Sequence, residues 1–212
     1  MAKTFRVATD VLDAILASDA PSTSVDFMKL NVQGGELPVL QGAPVTLRNV
    51  LGVQTEVSFV ESYVGRPMFS DVDSHLRSQG FEFFDFVAPH YMGRVRSPVT
   101  ARQMPGLFGL YGQNVEAHVL YLRDPIRLAE TRPEWLRGLT EARALKLVAI
   151  AETYHQVEFA FELLFWFEEH FSKCGESGTA GVMAELRRLG LKRHEAYMRW
   201  HSERFDQMTG RA

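Results

Sequence analysis

The polar side chains best placed for chemistry gather around two points in the first third of the chain. Asn31, Gln33 and Glu36 bracket a Gly34–Gly35 pair directly after the apolar run Phe27 to Val32. In open α/β sheets ligands collect outside the C-terminal ends of strands, and glycines let the backbone approach them closely. An amide at position 31 can donate and accept hydrogen bonds, but it cannot act as a general base. Glu36 fits a ligand-facing role and equally a helix start, where the dipole favours a carboxylate. The second point is Glu56, set in the apolar run Val50 to Phe59. An ionised carboxylate there is costly unless paired, so it either faces a site or sits at a solvated strand end, with Lys29 as a partner. Tyr63, Phe69, His90 and Tyr91 follow the second and third strand-like runs. They can line an acceptor pocket or serve local packing.

Other patterns carry less. Gly106 to Gly112 (GLFGLYG) lacks the Gly-x-Gly-x-x-Gly spacing and precedes a strand rather than a helix, so it is not a phosphate cradle. Glu152 and His155 make a Glu-x-x-His pair, but a di-iron bundle needs two such pairs and two further glutamates; a solvated helix face is the simpler reading. The lone Cys174 falls in a polar stretch, KCGESGT, that reads as a break. It excludes an internal disulfide framework and a cysteine-built zinc site, and fits a reducing, cytoplasmic setting. No metal site is expected.

The elements that must position these residues alternate between strand-like and helix-like runs up to Arg132, which predicts a parallel α/β layout. Thr9 or Asp10 is expected to cap a helix through Val11, Leu12, Ile15 and Leu16. Strands are expected at Phe27 to Val32, Val50 to Phe59, Phe81 to Val87 and His118 to Leu122. Pro38 is tolerable in the first turn of a helix beginning near Glu36, and Gly42 stands where a left-handed C-terminal cap is wanted. Ser70 and Asp73 form a capping-box-like pair for a helix that Gly80 ends. After Pro133 strand signals vanish. Thr140 is expected to cap a long helix to about Phe171, and a second helix runs from about Ala180 to Phe205. Acidic residues dominate Glu152 through Glu176 and basic ones Arg187 through Arg204, which favours an antiparallel helical hairpin. The expected domains are 1–132 and 133–212.

At 212 residues, with 46% hydrophobic and 23% charged residues, the composition is that of an ordinary globular protein. A formal charge of −3 provides no basic excess for nucleic acid or anionic membranes. Neither a signal peptide nor a membrane span is expected, since FAFELLFWF (Phe159 to Phe167) is short and carries Glu162.

Asp26 to Ala43, DFMKLNVQGGELPVLQGA, resembles the FkbM-type S-adenosylmethionine-dependent methyltransferases, whose turn reads "DF-KIDVQGGE--VL-GA". The likeness extends from Thr9, Leu12 and Asp13 through TEVSF (Thr55 to Phe59), Tyr63, PMF (Pro67 to Phe69) and GFEFFDF (Gly80 to Phe86) to Arg123 and Asp124. It implies a partial Rossmann-like sheet holding the fourth to seventh strands of the family, with the N-terminal cofactor-binding half missing. It also implies S-adenosylmethionine as cofactor near Asn31, Gln33 and Gly34, and catalytic roles around Asn31, Glu36 and Glu56. Asn31 replaces the family's usual aspartate. The implied reaction is O-methyl transfer to a small molecule or sugar, with the cofactor site completed by a second copy or a separate N-terminal half. The alternative is a non-catalytic, methyltransferase-derived interaction protein using its sheet edge and helical hairpin.

Overall fold

The computed structural model describes residues 7, 9–20, 24–61, 64–92 and 113–174, with isolated helical positions at 188, 190, 192, 195 and 199. The chain divides into two compact units, Met1–Arg123 and Asp124–Ala212.

The first unit is α/β. Strands β1 (Phe27–Leu30), β2 (Gly52–Ser58), β3 (Phe81–Met92) and β4 (Gln113–Arg123) form one sheet in the order β1-β2-β4-β3. β1 and β2 are parallel, with Phe27 opposite Gly52 and Leu30 opposite Thr55. β4 lies antiparallel to both of its neighbours, β2 and β3. The sheet is therefore mixed, which corrects the expected parallel layout in the pairings of β4. β2 and β3 share one direction through an intervening helix, and β4 enters the space between them from the opposite end. An antiparallel partner needs no helical crossover.

Alternation sorts the side chains of the central strands. Val53 and Val57 of β2 and Ala117, Val119 and Tyr121 of β4 join Met28, Leu30, Leu40, Leu47, Leu76 and Phe81 in the buried core. Helices α1 (Leu12–Asp19), α2 (Glu36–Gln41), α3 (Pro44–Asn49) and α4 (Phe69–Ser78) accompany this face. On the other face of β2 stand Gly52, Gln54, Glu56 and Ser58. Gly52 is required there, because a Cβ would come within 2.7 Å of Leu122 and 2.9 Å of the Phe27 ring.

Local signals set most helix ends, with instructive exceptions. Neither Thr9 nor Asp10 is the N-cap of α1; that position falls to Val11, whose N–H donates to the Asp10 carboxylate at 2.8 Å. Gly42 has φ −82° rather than a left-handed conformation, since α3 follows after a single residue. Its small size still matters, as a Cβ would lie 3.2 Å from that of Val11. The cap of α4 is Met68, whose N–H donates to Asp71 at 2.8 Å, and not the Ser70–Asp73 pair. Asp73 instead accepts from Arg77 and from the Tyr121 hydroxyl at 2.9 Å. Gly80 ends the helix with φ +87°, as expected.

Asp13 holds the start of α3 from another helix. Its carboxylate accepts from the Val45 N–H at 2.7 Å, the Thr46 N–H at 2.9 Å and the Thr46 hydroxyl at 2.6 Å. At the far end of the sheet Arg123 is buried. Its Nε donates to Val50 O at 3.2 Å, Nη2 to Leu47 O at 2.7 Å and Nη1 to Gln79 O, while the guanidinium lies 3.8 Å over the Phe81 ring. One side chain thus satisfies carbonyls that the C-terminal turns of α3 and α4 leave open.

The second unit is helical among its described residues. Asp124 caps α5 (Pro125–Thr131), accepting from Ile126 N and Arg127 N, and a 3-10 turn follows at Pro133–Gly138. Thr140 caps α6 (Glu141–Thr153) as expected. The single long helix does not form, because His155 adopts φ +60° and separates α6 from α7 (Val157–Cys174). The two pack against each other, and Ala144, Leu147, Ala151, Phe159, Leu163 and Phe167 are buried. The break removes the helical register of the Glu152–His155 pair, and Cys174 is the last residue of α7 rather than part of a loop. The expected helix from about Ala180 to Phe205, and with it the charged hairpin, lies largely outside the described residues. Among the described residues no helix is long and apolar enough to cross a membrane, and no group of residues could hold a metal ion.

Removing the Asp13 carboxylate tests the cap. Asp13→Ala is expected to lower stability at pH 7 by about 1–2 kcal/mol in urea titration. Partial burial pushes this carboxyl up, but hydrogen bonds from Thr46 and Val45, aided by Arg48, outweigh it and hold it below the ordinary value of 3.8. A lowered folded value means the contribution is complete above about pH 4 and lost as pH falls through the folded value. The gap between wild type and variant should therefore close on acidification below that point.

Candidate functional site

The site grows from the end of β1. After Leu30 the chain turns with Gln33 at φ +54° and Gly34 at φ +100°. Only glycine adopts the second value readily, which explains the first glycine of the pair. The second, Gly35, has an ordinary φ of −93°. It is small for a different reason, since a Cβ would lie 3.3 Å from the Val32 side chain.

Glu36 locks this turn. Although only 4% exposed, its carboxylate accepts from the Val32 N–H and the Gly34 N–H, both at 2.8 Å. Both oxygens are thus engaged by the turn's own backbone, in the position an anionic ligand would otherwise take. Asn31 and Gln33 are exposed and bonded to each other, Gln33 Nε2 donating to Asn31 Oδ1 at 3.0 Å.

Glu56 and Ser58 on β2 face the same side as Glu116 and His118 on β4, because the register sets Glu56 opposite His118 and Ser58 opposite Glu116. Glu56 is buried, at 3% exposure, and its partner is Arg66 rather than Lys29, which is exposed on β1. Arg66 Nη2 donates to Glu56 Oε1 at 2.9 Å, and Nη1 donates to Glu116 Oε1. His118 Nε2 stands 4.0 Å from Glu56 Oε2. Burial works against the Arg66 charge, but the hydrogen bonds and charges of Glu116 and Glu56 outweigh it and raise its pKa. The stem of Arg66 also lies against Gly34, where a Cβ would meet Arg66 Cγ at 3.3 Å. The Ser58 hydroxyl is buried with no hydrogen-bond partner.

The structure thus joins Gly34, Glu56, Glu116 and Arg66, while Glu36 belongs to the backbone of the turn. Phe69 opens α4 within an aromatic group, its ring 5.4 Å from Phe59, 6.0 Å from Phe83 and 6.5 Å from Phe86. His90 and Tyr91 lie on β3, paired in register with Glu116 and Asn114. Tyr63 lies outside the described residues. Sequence reasoning missed Arg66, Glu116 and His118. The alternation of VEAHVLYLR carried a signal for the last two, which are two residues apart and so share one face of a strand. Arg66, in a loop between Gly65 and Pro67, has no such signal.

Residues 2–83 match the family model described as Methyltransferase FkbM domain. The matched segment runs from before α1 into β3 and includes Asp13, the turn, Glu56 and Arg66; Glu116 and His118 lie beyond it. No curated protein and no solved structure matches the chain.

The turn's dependence on Glu36 is open to test. Glu36→Gln replaces one accepting oxygen by a donor facing a backbone N–H, and an unsatisfied buried donor costs about 1–3 kcal/mol. Chemical denaturation should record a loss of that size, with faster amide exchange at Val32 and Gly34.

Proposed function

Because residues 2–83 match the FkbM methyltransferase domain model, we propose that the chain takes part in S-adenosylmethionine-dependent O-methyl transfer to a small molecule or sugar hydroxyl. The observation that carries this reading is the polar, left-handed turn at the C-terminal end of β1, beside a second strand end that carries a buried carboxylate. Strand ends are where α/β sheets bind ligands.

The residues present suit a neutral or cationic ligand better than an anionic one. Glu36 already occupies the turn's N–H groups, so a phosphate has no free nest there. Exposed Asn31 and Gln33 offer amide donors and acceptors, and they are the positions that would touch the cofactor. When bound, the cofactor supplies an electrophilic methyl group; the protein must orient the acceptor oxygen in line and let its proton leave. Asn31 cannot take that proton. Glu56 is ion-paired with buried Arg66, which makes it an orienting group more than a base. The four strands would correspond to the family's fourth to seventh, with the cofactor's remaining contacts supplied from outside the described unit.

Calorimetric titration of the 212-residue chain with S-adenosylhomocysteine tests this reading. A saturable one-site isotherm is expected, weakened about tenfold by Asn31→Ala or Gln33→Ala, equivalent to about 1.4 kcal/mol. A folded sample that gives no binding heat rejects a cofactor site in this chain alone.

The edge of the sheet favours a second reading, an interaction role. Among the described residues β1 is the end strand of the sheet, and Val32 (47% exposed), Val11 (53%) and Ile15 (40%) show apolar surface in the same unit. An apolar open edge is a template for association. Multi-angle light scattering is expected to show a dimer or larger species, and a monodisperse monomer at high concentration would sink this second reading.

A further inference from the structure

We propose that Arg66 is a positioning residue: acting through Glu56 and the Gln33–Gly34 turn, it holds the ends of β1 and β2 in one fixed relation. Its last experimental arm rests on the methyl-transfer reading; its structural arms do not.

Three segments far apart in sequence converge on this side chain. The guanidinium donates to Glu56 on β2 and to Glu116 on β4, and its stem fills the space beside Gly34 in the turn after β1. Arginine is 7% exposed, although it comes from a loop. Its flanking residues set the approach: Gly65 has φ +75°, and Pro67 fixes the backbone that follows. A planar fork can serve two carboxylates at once, which a lysine ammonium cannot do in the same geometry. Without the fork two carboxylates would stand as diagonal neighbours on one face of β2 and β4, with His118 Nε2 4.0 Å from Glu56. Like-charge repulsion would then drive the two apart. Gly34 completes the contact from its side, since any Cβ there would press on the Arg66 stem.

The test compares Arg66→Met and Arg66→Lys in the full 212-residue chain. Methionine retains an apolar stem beside Gly34 and removes the fork. By carbon-detected NMR of glutamate-labelled protein at fixed pH, Arg66→Met is expected to move the Glu56 and Glu116 carboxyl resonances, whose oxygens the fork engages in wild type. Amide exchange at Gly34 should accelerate at least tenfold, while Thr46, held by Asp13, stays within twofold of wild type. Arg66→Lys should restore part of the Glu56 carboxyl resonance position but not the protection at Gly34. A folded Arg66→Met protein with wild-type values at both positions overturns the proposal, as does equal acceleration at Gly34 and Thr46, which marks general loosening. If Arg66→Met does not fold, Arg66→Lys decides, and wild-type exchange at Gly34 in that variant overturns it. In the S-adenosylhomocysteine titration, Arg66→Met is expected to weaken binding at least tenfold. Wild-type protein that binds none counts against methyl transfer by this chain, and the NMR result alone then decides the role of Arg66.

Discussion

A buried carboxylate in the middle strand constrains everything around it. Glu56 is withdrawn from water on β2, and an ionised carboxylate in such surroundings demands a partner of opposite charge. Arg66 meets that demand, and the same guanidinium engages Glu116 on the neighbouring antiparallel strand. Pairing of β2 with β4, the path of the loop that carries Arg66 and the placement of the turn after β1 are thereby coupled. Shifting β4 by one residue would turn Glu116 and His118 to the core face and bring Ala117 and Val119 to the charged one.

Arg123 solves a different problem at the other end of the sheet. Helices α3 and α4 end close to the start of β2 and leave carbonyl groups without internal partners. Arg123, at the end of β4, donates to Leu47, Val50 and Gln79 and covers the Phe81 ring. Two buried arginines therefore hold the two ends of β2 by different means. Arg66 neutralises side-chain charge where ligands are expected, and Arg123 satisfies backbone carbonyls where they are not. Between them lies the apolar core of Leu40, Leu47, Val53, Leu76, Val119 and Tyr121.

The turn after β1 shows how much local structure rests on a few atoms. Glu36 occupies the backbone donors of the turn from within, so the conformation is set before any ligand arrives. The exposed amides of Asn31 and Gln33 remain at the rim. A turn fixed in this way would suit the proposed methyl transfer, which depends on alignment more than on strong chemistry by the protein.

Much of this was legible in the residues alone, for local physical reasons. Apolar runs marked the four described strands, Gly80 and Thr140 marked helix ends, and Gly34 followed by Glu36 marked the turn, since each depends on neighbours within a few residues. Motif spacing from Thr9 to Phe86 likewise announced the likeness to the FkbM methyltransferase domain that residues 2–83 match. Non-local pairing decided the rest. The antiparallel insertion of β4, the pairing of Glu56 with Arg66 instead of Lys29 and the cap that Asp13 supplies to α3 all join residues whose proximity exists only once the sheet has closed. Sequence could state that a buried carboxylate needs a cation; only the tertiary structure could choose one from a loop, because the choice depends on which strand ends meet.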